Sequence, residues 1–195
     1  MGSLAGKKAR DLVPLLESTD RTEAAVALAV VNALADCRSI QGTTGDVLDA
    51  VEIRPTDRVG MIGLFRPLLP RLRKTAAAVE IFDEQPEKDE EVMPAEQAHD
   101  ALQKCDIALV SSTSIINHTL DDLFPSLVTC RDVVLLGSST PLLPEAFTGT
   151  PVTMLSGITI NDPAGMLQVV GEGRGTRSFK PFVTKWNIPL KKAVS

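Results

Sequence analysis

Cysteine is scarce in this chain. Its 195 residues hold Cys37, Cys105 and Cys130, odd in number and far apart. There is no CxxC pair and no Cys/His cluster, so neither a disulfide framework nor a structural zinc is indicated. Cationic runs are also missing. Lys and Arg total 20 against 25 Asp and Glu, for a net charge of −5. That balance disfavours a nucleic-acid or anionic-membrane surface. Long apolar runs are absent too: the longest helical one, Ala24–Ala35, is too short for a bilayer and contains Asn32. No charged n-region, apolar h-region and cleavage site open the chain, so a cytoplasmic protein is expected. Glycine is lacking where a nucleotide fold would need it most. After Gly63 come Leu64, Phe65, Arg66 and Pro67 in place of the GxGxxG turn. This argues against ordinary NAD binding and leaves room for a nucleoside, an S-adenosyl group or an organic anion held differently.

What the chain does have is an ordinary globular composition, 44% hydrophobic and 23% charged, and a doubled pattern in its middle. Asp106–Thr119 and Asp132–Pro141 each run from an acidic residue through a short apolar stretch into a loop of Ser, Thr and Gly. Such runs, spaced by helical segments, read as buried parallel strands. Strands are expected at Arg58–Leu64, Ala78–Phe82, Asp106–Val110, Asp132–Leu136 and Val152–Leu155. Helices are expected at Arg66–Ala77, Pro94–Lys104, Leu120–Val128 and Pro163–Val170, with a loop and Lys-rich tail after Gly171. The first 54 residues read as helical, with Pro14 limiting Ala5–Glu17 and Asp20 capping a buried helix Arg21–Cys37. The fold class is therefore α/β: a mostly parallel five- or six-stranded sheet of Rossmann-like type, helices on both faces, over 55–195, after a helical segment 1–54.

In such a sheet the loops after the strands form the ligand crevice. Ser111–Ser114 carry hydroxyls and amides suited to an oxyanion. His118 is the only imidazole expected near that edge and suits either a metal ligand or a proton carrier. Asn117 offers an amide to the loop or to a ligand, and Thr119 reads as a helix cap. Asp83 stands where such folds often place a carboxylate for a ribose, or simply ends a strand. Gly137 reads as a close backbone approach or as a turn. His99 reads as exposed surface, Glu87–Glu91 as a solvated acidic loop, and Cys105 and Cys130 as small buried hydrophobes opposite the crevice.

The segments VGMIGLFRPLLPRL, IFDEQP, CDIALVSSTSIINHTLDDLF, RDVVLLGSSTPLLPEAF and MLSGITINDP, in that order from about Asp57 to Gly173, resemble the family described as putative heavy-metal chelation. The resemblance implies a Rossmann-like C-terminal domain after a small α+β domain similar to the N-terminal domain of enolase. The helices around AAVALAVVNAL look like the end of that small domain, without its opening β-hairpin. The family's usual Gly in the third loop is Ser112 here, and its Asn-Gly is Asn117-His118. Carried over by position, the ligand-binding residues are Asp83, Ser112, Thr113, Asn117, Thr119, Gly137, Ser138 and Gly157, with His118 as the candidate metal ligand. The leading expectation is a protein binding a small molecule or a metal ion, either a divalent metal or a metal-chelating or anionic metabolite. A transferase-like enzyme with a nucleoside-type cofactor is the second. An accessory subunit completed by a partner or by a second copy of itself is the third.

Overall fold

The computed structural model of the chain describes residues 3–4, 6–35, 41–86 and 91–190. Its strands are β1 Thr43–Thr44, β2 Arg58–Ile62, β3 Ala78–Asp83, β4 Val92–Pro94, β5 Ile107–Ser111, β6 Asp132–Leu136, β7 Met154–Ile160 and β8 Val183–Pro189. The helices are α1 Arg21–Leu34, α2 Val47–Ala50, α3 Leu69–Thr75, α4 Ala98–Leu102, α5 Thr113–Ile116, α6 Leu120–Leu127 and α7 Pro163–Gly171. All eight strands form one sheet in the order β1-β8-β7-β6-β5-β2-β3-β4. From β4 across to β7 every neighbouring pair is parallel, while β8 is antiparallel to β7 and β1 is antiparallel to β8.

The central strands follow from their composition. In β5 every residue from Ile107 to Val110 is fully buried. Alternate side chains point to opposite faces. Ile107 and Leu109 join the core that also holds Leu69 and Leu72 of α3. Ala108 and Val110 join the core formed with Leu102 of α4 and Leu123 and Leu127 of α6. A strand covered on both faces must be apolar throughout, and this is why the run shows no alternation.

The expected five or six strands become eight. β4 is a three-residue strand just after the acidic stretch. β8 occupies residues expected to be tail, and it pairs with β7 all the way from Met154 to Ile160. That pairing also carries β7 beyond its expected end at Leu155. Lys185 and Pro189 disguise β8, yet both are exposed, while Asn187 and Ile188 face inward. The first helix is a 3-10 helix over Ala9–Glu17 with Pro14 inside it. α1 is capped as expected: Asp20 accepts from the backbone N–H groups of Thr22 (2.8 Å) and Glu23 (3.3 Å). Its burial is one-sided, however. Ala24, Ala27 and Leu28 are buried, whereas Leu34 is 55% exposed. The expected end of this helix at Cys37 lies outside the described residues.

The acidic residues that open the strands lock the amino edge of the sheet. Asp106 accepts from the backbone N–H of Arg58 at 2.8 Å. Asp57, only 2% exposed, accepts both Nη atoms of Arg131 (3.0 and 2.8 Å) and the N–H of Arg54 (2.7 Å). Arg131 also donates to Asp132 and to the carbonyl of Glu52. The entry to β2 is thereby clamped to the entry to β6. The hydrogen bonds from Arg131 hold the Asp57 carboxyl below its ordinary value, against the opposing effect of burial.

Asp57→Asn removes the buried counter-charge of Arg131, which keeps Asp132 as its remaining acidic partner. A loss of about 3 kcal/mol is expected, the low end for a broken buried pair because Arg131 is partly solvated. This corresponds to a fall in Tm of roughly 6–12 °C at neutral pH. The pair's contribution is present above the unfolded carboxylate pKa of about 4 and is lost as pH falls through the lower folded value. Thermal melts from pH 7 to pH 3 should show a steeper acid loss in the parent chain than in Asp57→Asn.

Candidate functional site

The turn leaving β2 is tight. Gly63 sits at φ 86° and its N–H donates to Phe82 O at 2.7 Å. A Cβ at position 63 would stand 2.9 Å from Ser111 Cβ, so the ends of β2 and β5 approach as closely as glycine permits. The chain then turns through a 3-10 helix, Arg66–Leu68, into α3. At the end of β3, Asp83 is braced by backbone: Oδ2 accepts from Leu64 N (3.2 Å) and Oδ1 from Gln85 N (3.1 Å). Its carboxylate is therefore aimed before any ligand arrives.

Between these strand ends and α4–α6 lies a cleft of about 410 Å³. Four carboxylates line it, those of Asp83, Glu84, Glu96 and Asp122, together with His99. Ser111, Thr113, Asn117 and Thr119 contribute hydroxyl and amide groups to the same wall. His99 Nδ1 lies 3.3 Å from Ser126 Oγ. Glu84 accepts from Arg21 twice, at 2.8 and 3.0 Å, and from Asn117 Nδ2 at 3.0 Å. One guanidinium thus stands at the rim of a cleft with four acidic side chains, and carboxylates crowded in this way attract cations and repel anions.

The structure divides the residues expected at the site into two groups. Asp83, Thr113, Asn117 and Thr119 line the cleft. Ser112, Gly137, Ser138, Gly157 and His118 lie outside it. Ser112 is 1% exposed and its Oγ lies 3.1 Å from Ser139 Oγ, so the loops after β5 and β6 do meet side by side. The N-terminal segment covers that meeting point. Asn32 of α1 donates to Ser139 O at 2.9 Å, and His118 Nε2 donates to Ser18 O at 2.8 Å. His118 adopts φ 57°, unusual for a residue with a Cβ, and its ring tethers the segment before α1.

The Ser111–Ser114 run passes from the end of β5 straight into α5 and is not an open cradle. Ser111 Oγ lies 2.8 Å from Thr113 Oγ1, and Ser114 Oγ donates to Ser111 O at 2.7 Å. Thr119 precedes α6 but makes no side-chain cap; it lines the cleft instead. Glu84, Glu96 and Asp122 were not singled out by sequence; His99, read as exposed surface, is exposed but also lines the cleft, so the imidazole of the cleft is His99 and not the expected His118. His99 and Glu96 follow β4, and recognising that short strand would have carried the segment after it to the carboxyl edge. Glu84 follows Asp83 directly. Asp122 sits in the first turn of α6, where an acidic residue reads as a helix-dipole partner.

Gly137 and Gly157 serve packing within the protein. At Gly137, φ is 140° and a Cβ would meet Ser112 Oγ at 2.6 Å. At Gly157 a Cβ would meet Leu142 Cδ2 at 2.8 Å and Thr140 O at 3.0 Å. Gly137→Ala is expected to cost about 1–3 kcal/mol from backbone strain alone, or roughly 2–12 °C in Tm. Adding Ser112→Ala should recover only part of that loss, since it removes the contact and leaves the φ angle. Thermal melts of the single and double variants check this.

Comparison with known proteins gives a consistent result. Residues 46–189 match the family model DUF364 and residues 1–35 match DUF4213, both described as "Putative heavy-metal chelation". No curated protein matches. A solved protein of unknown function from the DUF364 family of Pyrococcus horikoshii superposes with a TM-score of 0.85 at 21% identity, over 97% of this chain and 78% of that one. A second, from Desulfitobacterium hafniense, gives 0.80 at 23% identity, over 94% and 75%. At these identities the likeness shows a shared fold. The family match, spanning most of the chain and joined by a second of the same description at its start, shows that this protein belongs to the DUF364 family, described as putative heavy-metal chelation.

Proposed function

We propose that the chain binds a small cationic ligand, a metal ion carried within a small-molecule chelate, in the cleft between the ends of β2, β3 and β5. The reading is carried by one observation: four carboxylates and an imidazole line a single cleft of about 410 Å³. The six parallel strands run in the order of a Rossmann-like sheet, and β2 and β5 flank the point where that order reverses. Ligands of such sheets bind at this point, beyond the carboxyl ends of the strands.

Size and donor arrangement favour a chelate over a bare ion. The cleft has the volume of a small-molecule site. Among the described residues no three His, Cys, Asp or Glu side chains converge to hold an ion between them. A chelate brings most of its own donors and asks the protein for charge and hydrogen bonds. A net anionic metabolite would meet the acidic wall unfavourably. The family description, putative heavy-metal chelation, supports a metal-related ligand and does not distinguish a chelate from a bare ion.

A second reading rests on Asp83. It ends the strand beside β2, where a ribose hydroxyl meets a carboxylate in nucleotide-binding sheets. Leu64 and Phe65 replace the glycines that would admit a pyrophosphate, so a nucleoside suits this place better than a dinucleotide.

Thermal shift distinguishes the two. Nickel(II)–bipyridine, nickel(II) alone, citrate and adenosine serve as probes. The chelate at about a hundredfold excess over its Kd should raise Tm by roughly 5–10 °C. That shift should nearly vanish in the Asp83→Asn, Asp122→Asn double variant. A larger shift with citrate or adenosine, or a chelate shift unchanged in the double variant, overturns the proposal.

A further inference from the structure

The N-terminal segment is attached to the domain without sharing its cores. Its buried residues Leu12, Ala24, Ala27 and Leu28 belong to neither of the two cores that enclose the sheet. α1 packs on the 3-10 helix Ala9–Glu17 and meets the domain chiefly at α5. Polar ties hold the segment to the carboxyl edge: Asn32 on Ser139 O, His118 on Ser18 O and Arg21 on Glu84. The docked state also carries a penalty, since Asn32 Oδ1 is buried with no hydrogen-bond partner.

The Arg21 tie is the one that reaches the cleft. Nη1 donates to Glu84 Oε2 at 2.8 Å and Nη2 to Oε1 at 3.0 Å. Both carboxylate oxygens of Glu84 are therefore taken by a guanidinium of the N-terminal segment, and Oε1 also accepts from Asn117 Nδ2. A cation drawn in by Asp83, Glu84, Glu96 and Asp122 meets Arg21 as a tethered competitor. The Arg21 side chain is 62% exposed and that of Glu84 39%. An exposed pair is weak, so a ligand can break it.

We propose that the N-terminal segment is a latch, docked on the carboxyl edge while Arg21 holds Glu84 and loosened when a cation in the cleft takes Glu84 instead. The cation rests on the function proposed above; the latch rests on the Arg21–Glu84 geometry. The coupling is reciprocal: a ligand that weakens docking is itself weakened by docking to the same factor. α1 has 14 residues, and a helix of that length is marginal alone in water. Release therefore frays α1 and bares the meeting point of the loops after β5 and β6.

Amide exchange across residues 24–34 of the full chain reads the latch, with 107–110 in β5 as the internal reference. Without ligand, Arg21→Gln and Glu84→Gln should each speed exchange in α1 about two- to fivefold, the worth of an exposed ion pair. The double variant should go no further than either single one. Saturating nickel(II)–bipyridine should speed α1 of the parent chain to a similar degree while slowing 82–86, and should add nothing to α1 in Arg21→Gln. Asn32→Ala lies away from the cleft. It should loosen docking and so tighten chelate binding by roughly two- to tenfold. Exchange in α1 unaltered by both single variants overturns the latch, whatever the ligand does. Slowed 82–86 with α1 unchanged overturns the competition, and so does an Asn32→Ala affinity equal to that of the parent. If the chelate slows no part of the cleft, the ligand proposed above is wrong, and the ligand-free variants decide the latch.

Discussion

Adjacent parallel strands have to be joined by crossovers, and at β2 and β5 those crossovers leave on opposite sides of the sheet. From β2 the chain passes to α3, whose Leu69 and Leu72 pack on one face. From β5 it passes through α5 to α6, whose Leu123 and Leu127 pack on the other. The two exits diverge while the strands beneath them stay hydrogen-bonded from Val59–Ile107 to Ile62–Val110. Divergence above a tight pair leaves a crevice. The rest of the site depends on it: Gly63 permits the close approach, Asp83 is braced across the gap by Leu64 N–H, and α4 and α6 close the far wall with His99 and Asp122.

The same carboxyl edge is used in two ways along its length. Around β2, β3 and β5 it is open and acidic. Around β5 and β6 it is occupied by the protein's own N-terminal segment, through Asn32 on Ser139 and His118 on Ser18. Arg21 links the two parts, since it opens α1 and pairs with Glu84 on the rim of the cleft. Exposed pairs of this kind contribute little stability by themselves. Asn32 and the His118–Ser18 tether tie the N-terminal segment to the loops beyond β5 and β6, and Arg21 joins its first turn to the rim of the cleft.

Much of the sheet was legible because a doubly covered strand must be apolar along its whole length. β2, β5 and β6 satisfy that requirement and stand out in the sequence. β8 does not, because as an antiparallel strand toward the edge it exposes Lys185 and Pro189, and its identity comes from pairing with β7. β4 is too short for any periodic signal. At the site, Asp83, Thr113, Asn117 and Thr119 could be placed because they follow recognisable strands. Ser112, Gly137 and Ser138 follow strands as well, but a helix distant in sequence covers their loops, and Gly157 lies within β7, which runs on past its expected end. No local pattern reports such a tertiary cover. His99 and Glu96 were hidden for the complementary reason, since their position depends on β4. Of the doubled acid–strand–hydroxyl pattern, both acids serve the amino edge, Asp106 accepting from Arg58 N–H and Asp132 from Arg131, while only the first hydroxyl loop, through Ser111 and Thr113, reaches the cleft.

Amide hydrogen–deuterium exchange, with and without nickel(II)–bipyridine, tests most directly where a ligand sits. Occupation of the cleft predicts slower exchange confined to residues 62–65, 82–86, 95–99 and 111–123, the ends of β2, β3 and β5 and the facing parts of α4 and α6. Protection centred on 137–140 and 156–158, or no protection in any of these segments at saturating chelate, would contradict the account.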